Sequence, residues 1–345
     1  MKHRVIGSIG LTLLFLLGLA GAGQAAEKVR TVASFSILGD MVRQVGGDRV
    51  DIVTLVGPDS DAHVFSPTPA DAKDLAGAKI FFVNGLGFER WADRFVTSSG
   101  FKGDVVVASK GIKPRTLEHG EDHHHGEAAH GEADHGKTDH GDEDHGAKEY
   151  AEHAKAGHED DEEDEDEEEE ADDPHAWQDL ANGKLYVANI RDALIAADPE
   201  GKAVYEANAA RYLDAIAKEE QAVKEAVAKL PPERRRIITS HDSFHYFGQA
   251  YGLEIIAPEG VSTESEASAK DVARIIRQIK AERIPAVFLE NVTDRRLLDQ
   301  IARETGAKIG GTLYSDALSK PDGPAPTYLD MFRHNIGTLT AALSS

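Results

Sequence analysis

The chain has 345 residues, no cysteine and a formal net charge of −23. A chain without cysteine carries no disulfide framework, no thiolate metal site, no thiol nucleophile and no lipid on an N-terminal cysteine. Residues 119–173 hold 25 Asp and Glu against 3 Lys, so this stretch carries −22 and the nearly neutral remainder offers no basic patch for a nucleic-acid partner.

The length favours two domains over one core. Residues 1–26 read as an export signal: Lys2, His3 and Arg4 form a basic start, Val5 to Ala20 is mostly apolar, and Gly23-Gln24-Ala25-Ala26 offers a small-x-small cleavage site. Cleavage predicts a mature protein free in the periplasm. From Val29 to Val107, strand-like and helix-like pieces alternate. Val29–Ser34, Val50–Val56, Ile80–Val83 and Val105–Val107 read as strands; Ile37–Val45, Pro69–Ala76 and Glu89–Val96 read as helices. Such alternation predicts βαβ units and a parallel sheet.

The composition then changes. Residues 119–158 hold 10 of the 16 histidines, and residues 159–170 are all acidic. A stretch with so little apolar content cannot offset the entropy of ordering, so it is expected to be a disordered insertion in a surface loop. Its histidines, among them His123, His124, His125, His130, His135, His140 and His145, are candidates for weak metal sites.

A long helix is expected over about 199–230, with Leu213, Ile216, Val223, Val227 and Leu230 near one face and Pro231-Pro232 as its stop. The alternation then resumes: strands at Ile237–Ser240, Glu254–Ala257, Ala286–Glu290 and near Ile309, and helices at Phe244–Tyr251, Ala267–Ala281, Arg295–Thr305 and Thr327–Leu343. The reading is α/β: two lobes with parallel sheets, joined by one long rigid helix. The expected divisions are an amino-terminal lobe over 27–181, a linker over 182–231 and a carboxy-terminal lobe over 232–345.

Ligands of open α/β sheets bind beyond the carboxyl ends of strands. His63, His175, His241 and Asp316 all follow such ends, two from each lobe. Three imidazoles and a carboxylate suit tetrahedral Zn²⁺, whereas Mn²⁺ and Mg²⁺ sites lean on oxygen. A closed set of four leaves no position for an activated water, which favours binding over catalysis. Singly, each residue has a plainer reading: His63 as a loop histidine, Asp172 or Asp173 before Pro174-His175 as the end of the acidic run, and Asp242 after His241, or Asp316, as a helix cap. His245 lies one turn beyond His241 but is expected to face away from the cleft, and His334 to be structural. A zinc hydrolase would need a base such as Glu290, Glu264 or Glu266, yet no H-E-x-x-H motif is present. An adhesin or a soluble zinc buffer would use the same four ligands.

Four motifs, Gly57-Pro58-Asp59-Ser60-Asp61-Ala62-His63, Asp173-Pro174-His175-Ala176-Trp177, Thr239-Ser240-His241-Asp242 and Tyr314-Ser315-Asp316-Ala317-Leu318, give the chain a wider likeness. It resembles the metal-specific solute-binding proteins of ABC importers, the cluster A-I group with ZnuA-like, AztC-like and TroA-like members. The resemblance implies (β/α)₄-like lobes on a rigid helix, with the family's ligands falling on His63, His175, His241 and Asp316. Histidine rather than glutamate at the third position implies zinc. It also implies a monomer that passes Zn²⁺ to a permease of the inner membrane, with a periplasmic zinc metallochaperone as a further partner.

Overall fold

A computed structural model describes residues 27–115 and 172–344. The first sheet is built from β1 (Val29–Phe35), β2 (Val50–Val56), β3 (Ile80–Val83) and β4 (Asp104–Val107), in the order β2-β1-β3-β4 with every pairing parallel. Central β1 and β3 are buried almost throughout, which is why they read as apolar runs rather than alternating ones. Edge strand β4 is largely exposed.

The connecting helices are α1 (Ser36–Gly46), α2 (Pro69–Ala76) and α3 (Ala92–Ser99). Helix α1 buries Ile37, Leu38, Met41, Val42 and Val45 and ends where Gly47 turns to a φ of 54°. Helix α2 begins with a capping box between Thr68 and Asp71 and with Pro69 in its first turn. Helix α3 starts three residues later than the sequence pattern suggests. The Glu89 carboxylate accepts the backbone N–H groups of Asn84 and Gly85 and the Ser34 hydroxyl, which holds Glu89 in the preceding turn.

Two long helices follow, α4 (Leu180–Ala197) and α5 (Lys202–Ala228), packed on each other. The expected single helix over about 199–230 is therefore shorter, at about 40 Å for its 27 residues. Pro199–Gly201 forms a 3-10 turn instead, because the Asp198 carboxylate accepts the Gly201 N–H and also binds Arg49. Helix α5 packs against α1 of the first lobe and α9 (Tyr328–Leu343) of the second, so it touches both.

The second sheet repeats the first. Strands β5 (Arg236–Ile238), β6 (Glu254–Ile256), β7 (Ala286–Glu290) and β8 (Lys308–Leu313) run parallel in the order β6-β5-β7-β8. Helices α6 (His245–Tyr251), α7 (Ala269–Glu282) and α8 (Arg296–Thr305) connect them. The β7–β8 register shifts at Val287/Phe288, where Gly310 passes the Phe288 ring so closely that a Cβ would come within 2.5 Å of it. One apolar core runs from β1 through α4 and α5 to α9; a smaller one of Ile238, Ile275, Ile279, Val287, Leu298 and Ile301 lies under α7 and α8. No helix among the described residues is long and apolar enough to cross a membrane.

Candidate metal centre

In both sheets the strand order reverses between the first strand and its two neighbours, and loops at such a reversal open a crevice. Each lobe sends two side chains into it. His63 arrives on the loop after β2, His175 just before the 3-10 turn Ala176–Gln178, His241 shortly after β5 and Asp316 shortly after β8. His175, His241 and Asp316 are 0% exposed and His63 5%.

The three Nε2 atoms converge on one carboxylate. Asp316 Oδ2 lies 3.0 Å from His241 Nε2 and 3.5 Å from His63 Nε2, and Oδ1 lies 3.6 Å from His175 Nε2. One donor atom from each residue lies within 4.8 Å of all the others. A tetrahedral Zn²⁺ with bonds of ~2.1 Å spaces its ligands by ~3.4 Å, so no pair needs to close by more than about 1.4 Å. His63 Nε2, His175 Nε2 and Asp316 Oδ1 are buried with no hydrogen-bond partner among the described residues. Buried polar atoms left this way are costly unless a ligand completes them.

The turns that present the histidines share one device. Asp61 Oδ1 accepts the His63 N–H, and Asp173 Oδ1 accepts the His175 N–H, each at 2.9 Å. An aspartate two residues ahead fixes the turn in both cases. Asp173 Oδ1 also sits 2.8 Å from His175 Nδ1, which leaves Nε2 as the metal-facing nitrogen. Glu290 does the same for His241. Its Oε1 accepts the Ser240 and His241 N–H groups at 2.8 and 2.9 Å. Its Oε2 takes the Ser243 hydroxyl at 2.8 Å and lies 2.8 Å from His241 Nδ1, a close contact although bent from the ideal line. On the remaining side, the Phe88 ring meets His63 edge-on, with centroids 4.7 Å apart.

These carboxylates govern the protonation of the metal-free site. Burial pushes His175 down most strongly, yet Asp316 and Asp173 together outweigh it and lift its pKa to about 9. His241 is likewise driven down by burial but raised well above its ordinary value by Glu290 and Asp316. Burial raises Asp316, and the imidazoles of His241 and His175 more than reverse that, holding it well below the ordinary carboxylate range.

The structure thus brings together all four residues named from the sequence. His245 stands at the start of α6 with Nδ1 2.8 Å from Asp242 Oδ1, and His334 Nε2 lies 2.9 Å from the Thr312 carbonyl oxygen; neither joins the cluster. The orienting roles of Asp173 and Glu290 were missed. The repeated Asp-x-His spacing pointed to Asp173, whereas Glu290 carried only its place at a strand end. Glu290, offered as a base by the hydrolase reading, is taken up by the Ser240, His241 and Ser243 contacts. The loop candidates His123, His124, His125, His130, His135, His140 and His145, and the export signal over 1–26, lie outside the described residues.

Two α/β lobes around a buried cluster of three histidines and an aspartate define a bilobal binding protein with a metal centre between its lobes. The profile of the family described as "ZnuA: Zinc-uptake complex component A periplasmic" matches residues 31–342, and the chain belongs to that family. It is 29% identical to the manganese-binding lipoprotein MntA of Halalkalibacterium halodurans, over 94% of this chain and 91% of that protein. It is 26% identical to the metal ABC transporter substrate-binding lipoprotein FimA of Streptococcus parasanguinis, over 99% of each. Among solved structures, the periplasmic zinc binding protein TroA from Treponema pallidum superposes with a TM-score of 0.74 at 26% identity, covering 92% of this chain and 99% of that one.

Proposed function

We propose that this chain captures one Zn²⁺ outside the cytoplasm and delivers it to the permease of an ABC importer, with the ion as cargo. The observation that carries the reading is the donor set: three Nε2 atoms and one carboxylate, all buried, converging from two lobes. Nitrogen-rich tetrahedral sets suit zinc, and oxygen-rich sets suit manganese. Family membership and the transport relatives support the importer half. His63, His175, His241 and Asp316 are the four ligands, with Asp173 and Glu290 orienting two of them. Residues 27–181 and 232–345 act as the lobes and 182–231 as the linker. Residues 1–26 direct export to the periplasm. The His/acid-rich stretch gathers divalent ions near the centre through weak sites and, with a zinc metallochaperone, supplies them to it.

Metal analysis of the exported protein tests the proposal. One tightly held Zn²⁺ per chain is expected, with a hundredfold excess of Mn²⁺ failing to displace it. Equal occupancy by manganese, or ready exchange of zinc for manganese, overturns the zinc assignment. For the transport half, loss of the gene should stop growth under zinc chelation, and added zinc but not manganese should restore it.

A further inference from the structure

Asp316 belongs to the second lobe in sequence, yet most of the bonds around it come from the first. The Ser315 carbonyl oxygen accepts Trp177 Nε1 at 3.0 Å and Gln178 Nε2 at 2.8 Å. The Leu318 N–H is taken by Ser36 Oγ, and the Leu318 carbonyl oxygen accepts the Asp59 N–H, both at 2.9 Å. On the second lobe's side, Asn291 accepts the Ser315 N–H at 3.3 Å and donates to the Ala317 carbonyl oxygen at 3.2 Å. Trp177, Gln178 and Ser315 are all buried.

The two donors on Ser315 have a telling origin. Trp177 and Gln178 stand on the 3-10 turn Ala176–Gln178, which begins one residue after His175 and is closed by the Gln178 N–H on the His175 carbonyl oxygen at 3.0 Å. A short path therefore joins ligands of opposite lobes: His175, its own turn, the Ser315 carbonyl and Asp316. It bypasses the linker helices. Gln178 Oε1 has no partner among the described residues, so the Nε2 bond to Ser315 is the polar contact its side chain makes there.

We propose that Gln178 and Trp177 are positioning residues that lock the Asp316 carboxylate against His175 and so set the rate of metal release. This rests on the zinc-binding reading above. Both bonds hold the Ser315–Asp316 segment against the turn that carries His175, so removing either donor lets Asp316 leave the ion sooner while the three imidazoles stay in place.

The test uses the full chain loaded with Zn²⁺, and release is followed after mixing with excess chelator. Gln178→Met keeps the shape and deletes the donor; release should quicken about tenfold, the fold-change equivalent of one buried hydrogen bond. Trp177→Phe deletes the other donor while keeping a smaller aromatic ring and should act in the same direction, so the test stands even if one variant fails to fold. In an Asp316→Ala background, where three imidazoles still hold the ion, Gln178→Met should add nothing, because it acts through Asp316. With Co²⁺ as the probe, the visible band of the tetrahedral ion should weaken in Gln178→Met. Unchanged release in both donor variants, or an equal acceleration in the Asp316→Ala background, overturns the inference. A wild-type chain without a tight zinc site would overturn the proposed function as well; tight wild-type binding with unaltered variants sinks the positioning role alone.

Discussion

Replacing Glu290 by glutamine is the sharpest probe of the centre, because it changes one atom in a group of nearly constant shape. The carboxylate serves four partners: the Ser240 and His241 N–H groups on Oε1, and the Ser243 hydroxyl and His241 Nδ1 on Oε2. A glutamine keeps its carbonyl oxygen toward the two backbone donors, since turning it round would place an NH₂ against two N–H groups. The NH₂ then faces Ser243 and His241 Nδ1. His241 can accept from it only by moving its own proton to Nε2, the nitrogen that must bind metal. Loss of such an orienting carboxylate lowers metal affinity about 10- to 100-fold, or about 1.4–2.7 kcal/mol. Alanine is a poorer choice, since it strands two buried N–H groups at ~1–3 kcal/mol each. Zinc affinity measured by competition with a chromogenic chelator reads the effect. A Glu290→Gln protein that folds and binds Zn²⁺ within twofold of wild type would refute the orienting role.

Further outcomes follow from the same geometry. His63→Ala or His241→Ala should abolish tight binding, measured as zinc content after dialysis; full retention would remove that side chain from the centre. Because His175 titrates near 9 and His241 well above its ordinary value in the metal-free protein, binding at pH 7 must expel protons. Affinity should rise from pH 6 towards 9, and calorimetry in buffers of different ionisation enthalpy should count the released protons; none released would contradict the carboxylate-held imidazoles. The sign for metal-free stability is the reverse. Raised histidine pKa values stabilise the fold fully below about 6.5 and cease to do so as pH climbs through about 9, so the unloaded protein should melt lower at pH 9.5 than at pH 6. Phe88→Ala, which removes a ring packed on His63, Phe35 and Trp177, should cost about 3–5 kcal/mol in denaturant unfolding.

The parallel sheets were legible because buried strands of β-branched residues alternate with amphipathic helices, and the four clustered residues because each follows a strand end. Helix α4 was not assigned. Its hydrophobic face is divided between α1 and α5, so Leu180, Tyr186, Val187, Ile190 and Leu194 do not make a clean stripe. Helix α3 starts later than its pattern because Glu89, a good helix former, is held instead by bonds to Ser34, Asn84 and Gly85 outside the helix. Likewise, nothing in the spacing of Trp177, Gln178 and Ser315 announces that they meet; that contact depends on how the two lobes are set against each other.

The chain leaves the described structure at Arg115 and returns at Asp172, and the Asp173 N–H donates to the Arg115 carbonyl oxygen at 2.9 Å. Exit and re-entry thus share one doorway, three residues from His175. The junction beside the metal pocket is therefore closed by a main-chain bond between described residues, without calling on the histidine-bearing stretch.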